Sequence, residues 1–171
     1  MTDRTAENIV RLGLIGDNIA ASQAPRLHEL AGQMTGVPVR YDRLVPRELG
    51  QVFEAVYADA REGGFRGLNI TYPYKERVVS LLHVPDPLVA ALGAVNTVVF
   101  AESGPEGYNT DWSGFMAAYR RARGASAPGP VCMVGAGGVG KAVARRTAVS
   151  TAGLHHPARM IRSFIQDVPA T

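Results

Sequence analysis

The strongest constraint on this chain is an alternation of two periods. The short apolar run Val10 to Ile15 and the strand-like stretches Val39 to Leu44 and Gly67 to Ile70 are separated by segments whose apolar residues recur at three-and-four spacing. Runs of that length read as buried strands, and the intervening spacing marks one face of a helix. Parallel strands need a crossover, which a helix supplies, so the pattern predicts an α/β fold with an open, mainly parallel sheet. Ser22 followed by Pro25 opens the first helix, which runs through Leu27, Leu30, Ala31 and Met34 and stops near Gly36 and Pro38. Pro46 opens a second, with Leu49, Val52, Phe53, Val56 and Tyr57 on one face and Gly63-Gly64 at its close. Beyond the third strand come a Tyr72-Pro73 turn, a helix from about Tyr74 to Leu82 and a short helix after Asp86-Pro87. A fourth strand then lies within Ala94 to Phe100. Glu102 to Glu106 reads as a hairpin-like turn, and Asp111 as the cap of a helix carrying Phe115, Ala118 and Tyr119.

Residues 1–123 thus form a first domain, and 124–130, rich in Gly, Ala, Ser and Pro, a linker. The apolar run Val131 to Val134 leads into Gly135-Ala136-Gly137-Gly138-Val139-Gly140. A G-x-G-x-x-G between strand and helix suits a dinucleotide: glycine allows the tight turn and the backbone's approach to a pyrophosphate, and the helix N-terminus attracts the anion. The same stretch fits most of a nucleoside-triphosphate loop, but Ala142 stands where a Ser or Thr hydroxyl must hold magnesium. The plain alternative is a glycine-rich turn that binds nothing. Residues 131–149 read as a segment of a Rossmann domain and 150–171 as a C-terminal tail.

Formal charge is +3 and the arginines are dispersed, which gives no nucleic-acid footprint. The only cysteine, Cys132, lies in an apolar run and excludes an internal disulfide. Met1 to Asn8 lack the apolar core of a signal peptide, and no run approaches the length of about 18 residues that spans a membrane. A soluble, cytoplasmic protein is expected. His155-His156 has no companion ligands and reads as solvated linker, so no metal site is expected.

Three segments set polar residues at the ends of apolar runs: Asn69-Ile70-Thr71-Tyr72-Pro73-Tyr74-Lys75, Gly93-Ala94-Val95-Asn96-Thr97 and Gly107-Tyr108-Asn109-Thr110-Asp111. Ligands bind outside the carboxyl ends of strands in open α/β sheets. Asn, Thr, Lys and Asp in such a place suit a polyol carrying a carboxylate. Taken singly, Lys75 is also an ordinary surface lysine, Asp111 a helix cap and Asn96 a turn residue.

Together with Gly13-Leu14-Ile15-Gly16 and Ser22, these segments resemble the shikimate dehydrogenase family, in order from Val10 to Ala148. Asn109-Thr110-Asp111-Trp112-Ser113-Gly114-Phe115 is more similar to the quinate/shikimate branch. The resemblance implies reversible hydride transfer between NADP or NAD and a ring hydroxyl of shikimate, giving 3-dehydroshikimate, or of quinate, in aromatic amino acid biosynthesis or quinate use. Lys75 and Asp111 take the positions of the catalytic pair, because oxidising a secondary alcohol requires a base for the hydroxyl proton. Asn69, Thr71 and Asn96 match ring-hydroxyl ligands, Ser22 a carboxylate ligand, and Gly135 to Gly140 the cofactor loop. The implied partner is a small molecule rather than nucleic acid or membrane, and the implied state a monomer or homodimer.

Two departures follow. The family's second carboxylate-binding hydroxyl is replaced by Ala24, and the stretch after Val149 is too short for the remaining strands of a Rossmann domain. His156 to Phe164 resembles the family's final helix, which implies a truncated dinucleotide segment with its junction between Thr147 and His155. Weak or no turnover is therefore expected, with a non-catalytic binder of shikimate-like hydroxy acids as the alternative.

Overall fold

The computed structural model describes residues 9–126. They fall into two compact units that part after Asn109. In the first, β1 (Val10–Ile15), α1 (Ala24–Thr35), β2 (Val39–Leu44), α2 (Pro46–Leu49), α3 (Phe53–Glu62) and β3 (Gly67–Ile70) follow one another. A 3-10 turn (Arg77–Leu81), α4 (Pro87–Leu92), β4 (Thr97–Ala101) and β5 (Gly104–Tyr108) complete it. The second contains α5 (Thr110–Arg123). The glycine loop at Gly135 to Gly140 and the expected tail helix lie outside the described residues.

One five-stranded sheet runs in the order β2-β1-β3-β4-β5. β1 is parallel to both β2 and β3, while β4 is antiparallel to β3 and β5 to β4. The expected mainly parallel α/β fold is thus present, closed on one side by an antiparallel hairpin. Alternation along the strands separates two faces. Ile15, Leu68, Ile70 and Val98 join Phe53, Val56, Tyr57 and Val78 in the larger core. Leu14 and Tyr41 join Ile19 and Val45 in a smaller cluster on the other face, with Leu12 and Ala24 packed against it.

The first three strands match the expected bounds residue for residue, and helix punctuation holds where glycine or proline dictates it. Gly36 caps α1 with φ 72°, and the Asp86 carboxylate accepts the Leu88 N–H at 2.8 Å to start α4. The single helix expected from Pro46 is instead two, because Gly50 adopts φ 66° and ends α2. Leu49 and Val52 flank that break and are exposed, whereas Phe53, Val56 and Tyr57 are buried. The helix expected from Tyr74 to Leu82 is a 3-10 turn over Arg77–Leu81. The expected turn at Glu102 to Glu106 is shorter, since Gly104–Tyr108 pairs along β4 as a fifth strand despite its Gly and Pro content. Asp111 lies inside the first turn of α5 rather than capping it.

The apolar stripe of α1 does not face the sheet. Met34 is 80% exposed and Leu27 65%, and the one buried residue of the helix is Gly32. A methyl group there would stand 2.5 Å from the Val37 carbonyl oxygen and 2.7 Å from Val39 Cγ2. Gly32→Ala gains about 1 kcal/mol of helix propensity and loses about 1–3 kcal/mol to overpacking. A net loss of about 1 kcal/mol is expected, read as a lower urea midpoint at unchanged slope.

Candidate functional site

The sheet's change of direction gathers chain segments at one rim. β1, β2 and β3 end there, β4 begins there and β5 ends there. Backbone bonds fix the rim: the Ile70 N–H donates to the Asn96 carbonyl at 2.8 Å, and the Asn96 N–H to the Tyr108 carbonyl at 3.0 Å. The Val95 N–H donates to the Lys75 carbonyl at 2.8 Å, which ties the lysine's backbone to the segment before Asn96. Asn109, 5% exposed, donates from Nδ2 to the Ala94 carbonyl at 2.9 Å. Buried polar groups satisfied in this way hold their segments in one geometry.

Side chains then form a chain across three strands. Tyr41 Oη on β2 donates to Asn69 Oδ1 on β3 at 2.7 Å, and Asn69 Nδ2 lies 3.5 Å from Thr97 Oγ1 on β4. Thr97 Oγ1 donates to Asn96 Oδ1 at 2.9 Å. Asn69 and Asn96 are therefore brought together through Thr97. Burial pushes the Tyr41 phenol above its ordinary pKa, so the hydroxyl stays protonated at neutral pH.

Thr71 sits over Gly16: a Cβ at Gly16 would lie 2.3 Å from Thr71 Cγ2, so only glycine admits the threonine there. The Thr71 N–H donates to the Ile15 carbonyl at 2.9 Å, and Tyr72-Pro73 is a cis peptide. Tyr74 Oη donates to Asp17 Oδ1 at 2.8 Å, joining the turn before Lys75 to the loop after β1. Burial first, and then this bond to a carboxylate, raise the Tyr74 pKa. Ser22 is half-buried in the same loop; its hydroxyl accepts the Ala24 N–H at 3.3 Å, and its carbonyl accepts from Arg43 Nη2 at 2.8 Å. Asp111 belongs to the second unit. Among the described residues no group of three or more His, Cys, Asp or Glu is placed to hold a metal, and no helix is long and apolar enough to cross a membrane.

Tyr41 and Thr97 are the members of this linked set to which the sequence gives no role. Thr97 follows Asn96 at the start of a strand, where a threonine is an ordinary strand former. Tyr41 lies in the Val39 to Leu44 strand, and a tyrosine in a buried strand needs a partner for its hydroxyl.

Residues 14–98 match the shikimate dehydrogenase substrate binding domain. The chain is 43% identical over 139 residues to the quinate/shikimate dehydrogenase (NAD(+)) of Corynebacterium efficiens, covering 79% of this chain and 49% of the relative. Over 148 residues it is 43% identical to the shikimate dehydrogenase (NADP(+)) of Streptomyces avermitilis, covering 85% and 50%. The chain spans about half the length of the curated relatives it matches. Among solved structures, the quinate dehydrogenase of Corynebacterium glutamicum in complex with NAD aligns with a TM-score of 0.75 at 39% identity, over 84% of this chain and 52% of that one. The Thermus thermophilus shikimate 5-dehydrogenase in complex with NADP(H) and shikimate aligns with a TM-score of 0.68 at 35% identity, over 85% and 53%. From the glycine that seats Thr71 to the strand that carries Thr97, the sheet, its rim and its relatives agree, and the chain belongs to the shikimate dehydrogenase family.

Proposed function

We infer that this chain carries the substrate-binding and proton-transfer part of an NAD(P)-dependent oxidoreductase acting on a ring hydroxyl of shikimate or quinate. The observation that carries the reading is the linked set Tyr41, Asn69, Thr97 and Asn96 at the strand ends. Amides and hydroxyls linked in that way suit the ring hydroxyls of a small polyol, each of which both donates and accepts. Thr71 and Ser22 join them as ligands, Ser22 taking the carboxylate. With Ala24 in place of a second hydroxyl, the site forgoes one charge-assisted hydrogen bond, worth about 1.5–3 kcal/mol.

In this reading Lys75 and Asp111 are the catalytic residues, Lys75 accepting the proton of the reacting hydroxyl. NAD or NADP, when bound, supplies the hydride acceptor, and Gly135 to Gly140 has the sequence of the loop that would hold it. The same residues without that loop engaged make a binder of shikimate-like acids, and one pair of measurements separates the two functions. Calorimetric titration of the chain with shikimate and with quinate should give saturable heats at micromolar to millimolar concentration. Absorbance assays with NAD and with NADP then report whether bound acid is oxidised. Binding without reduction of either cofactor makes the chain a binder; absence of heat with both acids removes the reading.

A further inference from the structure

We propose that Tyr41 is a positioning residue: it sets the orientation of the Asn69 amide, so that Asn69 offers hydrogen-bond donors to an oxygen of the bound hydroxy acid. The inference rests on the shikimate-type reading of the rim given above. An asparagine side chain has one acceptor end and one donor end of nearly equal shape, and only its neighbours decide which end faces a ligand. Thr97 and Tyr41 decide it together here. Thr97 gives its proton to Asn96 Oδ1 and therefore accepts from Asn69 Nδ2 at 3.5 Å, while the Tyr41 hydroxyl donates to Asn69 Oδ1 at 2.7 Å and holds that end; among the described residues Nδ2, with two hydrogens, has no other partner.

The register explains how the two meet. Tyr41 lies opposite Leu12 and Asn69 opposite Leu14, so both project on one face of β1 from the strands that flank it. Tyr41 is itself held. It is 6% exposed, its ring lies 4.7 Å from that of His28, and His28 Nδ1 donates to the Ala24 carbonyl at 2.8 Å. Because the hydroxyl stays protonated through the neutral range, it remains a donor wherever the site works.

The test uses the full chain with Tyr41→Phe, which keeps the ring and its packing on His28. In the ligand-free protein labelled with 15N-asparagine, the Asn69 side-chain amide signals should shift and broaden in this variant as the amide loses its fixed orientation. Unchanged signals would overturn the proposal whether or not any acid binds. Calorimetry with shikimate should show about 5- to 10-fold weaker binding for Tyr41→Phe, the loss expected for one hydrogen bond. In an Asn69→Ala background the same change should alter affinity by no more than about twofold. An undiminished loss in that background would mean that Tyr41 acts elsewhere and would refute the assignment. If Tyr41→Phe does not fold, Asn69→Asp keeps an acceptor for Tyr41 and removes the donors; shikimate affinity equal to that of the parent chain would then count against it. A parent chain that binds neither shikimate nor quinate fails the functional reading alone, since the amide signals still decide the positioning.

Discussion

Phe53→Ala should destabilise the first unit by about 3–5 kcal/mol, the cost of removing a buried aromatic ring and leaving the space unfilled. Phe53 is 1% exposed and begins α3. Its ring stacks on Tyr74 at 4.7 Å with 12° between planes, and the Tyr57 ring lies 6.2 Å away. Arg77, paired with Glu54 through two hydrogen bonds of 2.5 and 2.7 Å, sits 5.9 Å above it. The ring is thus the floor on which the Tyr74–Lys75 turn rests. Against a total stability of about 5–15 kcal/mol, such a loss leaves the domain close to unfolding at body temperature. Urea unfolding followed by tyrosine fluorescence and far-UV circular dichroism gives the value. A change below about 1 kcal/mol would mean that Phe53 does not anchor this core. Phe53→Leu refills most of the volume and should recover the greater part of the loss.

The second large effect concerns a residue with no side chain. Gly67 pairs with Val99 across β3 and β4, and a Cβ at this position would stand 2.7 Å from the Val98 carbonyl oxygen. Neither neighbour can yield, because both belong to backbone fixed in the sheet. Gly67→Val should therefore push the two strands apart at a cost of about 3 kcal/mol, the upper part of the usual range for overpacking. For a unit of this size the melting temperature should fall by about 10 °C or more. The damage reaches the rim, since Asn69 and Thr97 are paired two residues further along the same ladder. Under the proposed function, shikimate affinity should fall with stability in Gly67→Val. An unaltered melting temperature would mean that the strands have more room than their spacing indicates.

Much of this fold is legible in the chain itself. β1 and β3 are short, mostly apolar runs bounded by glycine, proline or polar residues, and β2 alternates apolar Val39, Tyr41 and Leu44 with charged residues between Pro38 and Pro46. Other features depend on tertiary context. β5 contains two glycines and a proline and pairs only because β4 offers an edge, so local propensity alone points to a turn. α1 places Leu27, Leu30 and Met34 at helical spacing, yet meets the sheet through Gly32 because β2 comes too close for any larger residue. The rim amides were readable as polar residues at strand ends. What they bond to was not, because the links between Tyr41, Asn69 and Thr97 span 28 residues each and appear only once the register is known.

The reversal of strand direction between β3 and β4 divides the labour of the two hairpin ends. Glu102 and Ser103 turn the chain at the end of the sheet remote from the rim of Asn69, Asn96 and Thr97, about 16 Å away along five residues of strand. That turn, with both residues exposed, suits a fluorophore, an affinity peptide or a few inserted residues, which leaves the hydrogen-bonded rim at the opposite end untouched.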